Sequence, residues 1–278
     1  MTILTFTLIL LAVSALAGFL GALTGLGGGV LLVPVLTLLF HVDLHYAVGA
    51  VLVSVIATSS GAAAAYVREG YTNIRIGMFL EIATTLGALV GVFLLTRVST
   101  HAVGVVFGLV LLFSAYFSWK SPPDAVQPEQ PDPLATRLKL NGSYPTTQGE
   151  RSYRVYRVPG GFSLMAVAGA LSGLLGIGSG SMKVLAMDQI MRIPFKVSTT
   201  TSNFMIGVTA AAGAGAYLKE GYIRPGLAMP VMLGVLLGSI IGAKVLMRVQ
   251  TRILRMVFSG VIGVIAIDMI FNAITGRL

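Results

Sequence analysis

Eight stretches of this 278-residue chain are almost continuously apolar: Thr2–Val33, Ala47–Val67, Ile76–Leu95, Ala102–Trp119, Phe162–Val184, Val197–Leu218, Leu227–Met247 and Val257–Ile274. A helix crosses the hydrocarbon core of a bilayer with about 20 apolar residues, and most of these runs reach that length. Only 10% of the residues are charged, at a mean hydropathy of +0.89, whereas a soluble domain carries about 25%. Membrane β-barrels show alternating strands of about ten residues instead, and none are evident. The fold class is an all-α polytopic membrane protein.

The chain has no cysteine, which removes disulfides, thiol nucleophiles and iron–sulfur clusters. His41, His45 and His101 have no metal-binding spacing, so no metal and no cofactor are expected. The net charge of +9 fits basic cytoplasmic loops better than nucleic acid. The first residues lack the basic region of a signal peptide, so the run from Thr2 reads as a retained first membrane helix.

Shifted on itself by 151 residues, the sequence matches without gaps over about ninety positions. Gly18, Leu20, Leu23, Gly25, Gly27 and Gly29 meet Gly169, Leu171, Leu174, Gly176, Gly178 and Gly180, and Tyr66-Val-Arg-Glu-Gly-Tyr71 meets Tyr217-Leu-Lys-Glu-Gly-Tyr222. Apolar composition alone does not align Arg, Glu and Tyr. Residues 1–119 and 161–278 are therefore two homologous transmembrane repeats, with 120–160 as the linker between them. Within the linker, the stretches from Arg137 and from Ser152 alternate polar and apolar residues around turn formers, which predicts a small cytoplasmic β-hairpin.

Loop charge chooses the relative orientation of the repeats. Five segments per half put thirteen Lys/Arg on the side of the central loop and four on the other. Four segments per half would split them eleven to six. The positive-inside rule favours the first arrangement, which makes the repeats inverted and the basic loop cytoplasmic. It also requires Thr2–Phe40 to be a pair of segments broken at Gly25-Leu-Gly-Gly-Gly29.

That break and its counterpart Gly176-Ile-Gly-Ser-Gly180 carry the chemistry. Clustered glycines interrupt a helix and leave backbone N–H groups without intrahelical acceptors. Non-helical backbone at membrane depth persists only inside protein or against a cavity, and a helix restarting there favours an anion. Scattered glycines such as Gly87 and Gly238 read as close helix packing. Gly27, Gly28, Gly29, Gly178, Ser179 and Gly180 are thus candidate substrate ligands.

The stretch Gly18–Pro34 resembles the signature of the TauE/SafE sulfite-exporter family. So do Gly173-Leu-Leu-Gly-Ile-Gly-Ser-Gly180 with Thr201-Ser-Asn203, and the central Gly142-Ser-Tyr with Tyr153-Arg-Val-Tyr-Arg-Val-Pro. The resemblance covers nearly the whole chain. It implies a prokaryotic inner-membrane permease for sulfite or a small organosulfonate such as sulfoacetate or sulfolactate.

Lys183 lies three residues past Gly180, where the first repeat has Leu32. An intramembrane charge is costly and marks a functional candidate; the plainer readings are snorkelling or a pair with Glu81 or Asp188. Thr201, Ser202 and Asn203 could donate to anion oxygens without further charge, while Ser198 or Thr199 is the expected helix N-cap. Glu81, opposite Met232 in the repeat, has two candidate roles, proton coupling or counter-ion to Lys183. Asp188, Lys244 and Asp268 are expected at the interface.

The sequence thus reads as a secondary transporter of a small anion, working by alternating access between its repeats. An anion channel with the same site, or a carrier of a small carboxylate, is the alternative. There is no Walker motif and no convergent acid–base constellation, so the chain is not expected to be an enzyme. The expected partners are a small anionic substrate and the lipid bilayer, with no nucleic acid; a homodimer is compatible with the reading.

Overall fold

The computed structural model describes residues 3–25, 28–94, 100–120, 132–146, 149–175 and 179–276, and these are mostly helical. The first half comprises α1 (Ile3–Thr24), α2 (Gly29–Pro34), α3 (Leu44–Arg68), α4 (Ile74–Leu94) and α5 (Thr100–Lys120). The linker holds α6 (Pro133–Arg137) and the antiparallel pair β1 (Gly142–Thr146) and β2 (Gly149–Tyr153). The second half repeats the order: α7 (Val158–Leu175), α8 (Gly180–Leu185), α9 (Phe195–Lys219), α10 (Pro225–Arg248) and α11 (Thr251–Ile274). Among the described residues, five helices are long and apolar enough to cross a membrane: those at Leu4–Thr24, His45–Arg68, Ile74–Gly91, Pro225–Arg248 and Arg252–Ile274. Met78, Ile82, Leu86 and Phe93 of α4, and Val264, Ile267 and Ile274 of α11, are exposed. These stripes suit lipid rather than water.

Equivalent residues of the two halves make equivalent local structure. α3 and α9 each end in a turn with a left-handed glycine, Gly70 (φ 76°) and Gly221 (φ 75°). In those turns Tyr71 N–H donates to the Tyr66 carbonyl and Tyr222 N–H to the Tyr217 carbonyl, which satisfies helix-end carbonyls. α2 and α8 each continue into a five-residue π-helical segment, Val35–Leu39 and Ala186–Ile190. Each combined segment, 29–39 and 180–190, is about 16 Å long at 1.5 Å per residue, half a bilayer core.

The tightest helix contacts run between the halves. α1 lies along α10 and α4 along α7, at glycines with no room for a side chain. A methyl group on Gly238 would fall on the Ala15 carbonyl oxygen, and one on the equivalent Gly87 on the Ala166 carbonyl oxygen. Small residues of this kind let helix backbones approach where lipid supplies no hydrophobic drive. The contact registers give direction. Gly234 meets Leu11 and Gly242 meets Phe19, so α1 and α10 run the same way. Gly87 meets Ala166 and Gly91 meets Ala170, so α4 and α7 do also. Gly207 meets Ser59 while Gly213 meets Leu52, so α3 and α9 run oppositely.

The hairpin forms, with shifted boundaries. Asp132 accepts from Leu134 N–H and Pro133 opens α6, so Arg137 ends a helix where the alternation predicts a strand. Lys139 then turns the chain at φ 52°, and pairing runs only from Gly142↔Tyr153 to Thr146↔Gly149. The linker is fastened to the helices. Asn73 Nδ2 donates to the Leu140 carbonyl (3.1 Å) and the Tyr153 hydroxyl (2.7 Å), and Tyr156 N–H donates to the Met191 carbonyl. Ala135, Leu140, Tyr153 and Val155 share a buried core with Ile76, Met187 and Val197.

Candidate functional site

α1 ends at Thr24, the chain turns through Gly25 (φ 78°) and Gly28 (φ 74°), and α2 begins at Gly29. Gly25 packs on Thr199 and Val184, which brings the first half's turn against α8 and α9 of the second. Ser202 sits between the two turns. Its hydroxyl is within hydrogen-bond reach of the Gly25 carbonyl (2.9 Å) and the Gly180 carbonyl (3.2 Å). Asn203 Nδ2 and the Tyr66 hydroxyl both donate to the Ala22 carbonyl at 3.0 Å. These bonds satisfy carbonyls at the end of α1 that have no intrahelical donor.

Other polar groups here have no partner. The hydroxyls of Ser179, Ser181 and Thr199 and the Asn203 Oδ1 are buried without a hydrogen bond among the described residues. Buried hydroxyls are ordinarily satisfied by protein or water. A cluster of unsatisfied donors and acceptors beside two interrupted helices is what a polar ligand would complete.

Lys183 is fully buried, and so is most of Glu81. The ammonium lies 3.3 Å from Glu81 Oε2 and donates to Thr209 Oγ1 at 2.5 Å. Thr209 in turn donates to Glu81 Oε1 at 2.6 Å, and Thr85 donates to the same oxygen at 3.2 Å. A charge pair in low dielectric persists only when its remaining hydrogen-bonding capacity is met in this way. The network joins α8, α4 and α9.

The structure thus brings Ser202 against Gly25 and Gly180 and Asn203 against the end of α1, while Gly28 packs on Ala17 and Gly18 of α1 and Gly27 and Gly178 lie outside the described residues. Thr201 is placed differently: its Oγ1 accepts from Asn73 N–H (3.1 Å) at the start of α4. α9 begins at Phe195, directly after Pro194, so Ser198 and Thr199 lie inside the helix rather than capping it. The Ser198 hydroxyl donates back to the Ile193 carbonyl. Asp188 is buried rather than exposed. It forms a two-pronged pair with Arg255 of α11, at 2.7 and 2.8 Å, and both side chains are buried. The Arg255 guanidinium also lies 4.6 Å from the Phe195 ring centre.

Sequence reasoning passes over Thr209, Thr85 and Ser181, and takes Thr199 for a cap. Two signals point to Thr209: it is seven residues from Ser202, on the same helical face, and it recurs as Thr58 in the first half.

Comparison with known proteins agrees with this architecture. The model of the family described as sulfite exporter TauE/SafE matches residues 10–269. The chain is 27% identical to the probable membrane transporter protein YunE of Bacillus subtilis, over 96% of this chain and 98% of that one. It is 26% identical to the probable membrane transporter protein YdhB of the same organism, covering 85% and 87%. It is 24% identical to the probable membrane transporter protein MJ0441 of Methanocaldococcus jannaschii, covering 94% of each. No solved structure gives a significant match.

Proposed function

The chain belongs to the sulfite exporter TauE/SafE family of integral membrane transporters, and from that premise we propose a secondary carrier of a small oxyanion, sulfite or an organosulfonate such as sulfoacetate. One observation carries the reading: a single hydroxyl, Ser202, stands within hydrogen-bond reach of the carbonyls of both Gly25 and Gly180. In this reading the two glycine breaks face one site, and the unpartnered hydroxyls of Ser179, Ser181 and Thr199 support it. Backbone N–H groups of Gly28, Gly29 and Gly180, with Ser179, Ser181 and Thr199, would hold the oxyanion. Asn203 completes the proposed surroundings, and Gly27 and Gly178 are proposed with it from their places in the sequence; Thr201, whose hydroxyl accepts from Asn73 N–H, is proposed only as a neighbour of Ser202.

Lys183 supplies the charge for the anion, and Glu81 holds it in reserve. While Glu81 is ionised the pair is neutral, and the ammonium faces a carboxylate. Protonating Glu81 frees one positive charge for the substrate, which couples a proton to the anion. The relay Lys183–Thr209–Glu81 gives that exchange a hydrogen-bonded route.

The repeats are inverted in this reading. The opposed directions of α3 and α9, and the shared directions of α1 with α10 and of α4 with α7, support it. Alternating access then moves α1, α3 and α10 against α4, α7 and α9, not one sequence half against the other. The basic loop is cytoplasmic, in a prokaryotic inner membrane, as loop charge suggests.

Binding tests the substrate class. The purified protein should be stabilised against heat by sulfite or sulfoacetate, more than by acetate or chloride at equal ionic strength. Lys183→Ala should abolish the difference. Equal stabilisation by every anion would defeat the reading.

A further inference from the structure

A polar cleft lies away from the glycine breaks, where the linker meets the turn between α3 and α4. Its volume is about 250 Å³, it is open to the surface, and Thr72, Arg75, Lys139, Asn141, Ser143 and Tyr153 are among its walls. Arg75 and Lys139 approach it from different elements, and neither has an acidic partner among the described residues. Lys139 is held there by a left-handed backbone (φ 52°), a conformation a non-glycine residue adopts at a cost. The Thr72 hydroxyl is buried with no hydrogen-bond partner.

Two acids stand nearby, neither paired with Arg75 or Lys139 among the described residues. Glu150 accepts from the Ser143 hydroxyl at 3.2 Å, and the charge of Glu69 reaches Tyr71. Burial pushes the Tyr153 phenol up to about 12, against an opposing hydrogen bond from Asn73. Burial and the Glu69 charge likewise raise Tyr71. Both phenols therefore stay neutral at physiological pH and add no negative charge to the walls.

We propose that this cleft binds a phosphate-type oxyanion, with Arg75 and Lys139 gripping its oxygens and Thr72 donating the hydroxyl it otherwise leaves unused. A guanidinium and an ammonium converging with a hydroxyl are the groups such an anion takes. Arg75 is the second residue of α4, and Ile74 beside it is 46% exposed on the lipid-facing stripe. With α4 spanning the bilayer from this end, we place the cleft at headgroup height, open to an anionic lipid as well as to a free ion. The turn that walls it also holds the start of α9: Thr200 donates to the Tyr71 carbonyl and Asn73 N–H donates to Thr201. An occupant would brace the helix that carries Ser202.

The full chain in phosphatidylcholine nanodiscs, with and without added phosphatidylglycerol, tests this through radiolabelled inorganic phosphate binding and native mass spectrometry of retained lipid. Phosphate bound in phosphatidylcholine alone identifies a free oxyanion as the occupant; retained phosphatidylglycerol without phosphate binding identifies the headgroup. In either case Arg75→Gln and Lys139→Gln should each weaken binding by roughly tenfold or more, the equivalent of one charge-assisted hydrogen bond. Thr72→Val, which leaves the charge unchanged, should weaken it as well. No binding of either ligand, or binding that these three variants leave intact, would overturn the proposal. Binding lost in the two charge variants but untouched by Thr72→Val would reduce the site to diffuse surface attraction and overturn it also.

Discussion

The ammonium of Lys183 lies 3.3 Å from the carboxylate of Glu81, with 0% and 8% of the two side chains exposed. Neither charge could stay inside the protein without the other. Lys183→Met alone leaves a buried carboxylate unpaired, which costs about 3–5 kcal/mol in comparable cases, so folded yield and Tm should fall. The double variant Lys183→Met/Glu81→Leu removes both charges and should recover most of the Tm. It should not recover transport. A double variant that transports normally would make the pair purely structural.

Glu81→Gln keeps an acceptor for Thr209 and Thr85 but cannot change charge. If the carboxylate carries the coupling proton, wild-type uptake into liposomes speeds up under an inward proton gradient. The variant's uptake should be slow and indifferent to that gradient. Equal gradient dependence in both would remove Glu81 from coupling.

Close packing predicts a contrast between glycines. Gly238→Ala drives a methyl into the Ala15 carbonyl, and overpacking of this kind costs about 1–3 kcal/mol. Gly87→Ala should cost a similar amount against Ala166 on the other side of the repeat. Gly260 of α11 has nothing within 4 Å of where a methyl would sit, and should accept alanine without loss. Thermal unfolding of the three purified variants checks this.

Orientation is testable because the chain has no cysteine of its own. Glu69 and Glu220 are equivalent, exposed residues in the matching turns after α3 and α9. Single cysteines at these positions should react with an impermeant thiol reagent from opposite sides of the membrane, Glu69→Cys from the cytoplasm. Labelling of both from one side would mean parallel repeats.

Much of this is written locally in the chain. The duplicated Tyr-x-x-Glu-Gly-Tyr turns repeat because the same short-range hydrogen bonds form twice, and a charge among apolar residues announces that it needs a partner. The identity of the partner is less legible. Glu81 and Asp188 are equal candidates for Lys183 by sequence, and only the packing of α4 against α9 separates them. Asp188 turns instead to Arg255, a contact between distant segments that no spacing encodes. Likewise the hairpin's alternation extends through Lys139, but Asp132 and Pro133 start a helix that shortens it. Ser202 and Asn203 are legible as polar residues at depth, while their use in satisfying α1 carbonyls depends on where α1 stops.

The most direct test is uptake of labelled sulfite or sulfoacetate by proteoliposomes, with Ser181→Ala/Thr199→Val beside wild type. Both residues are buried hydroxyls without partners among the described residues, so removing them should cost little stability. Wild type should show saturable uptake, and the double variant a KM raised by roughly tenfold or more, as expected for two lost hydrogen bonds to a charged ligand. Uptake at the wild-type KM in the double variant would contradict a substrate site between the two glycine turns.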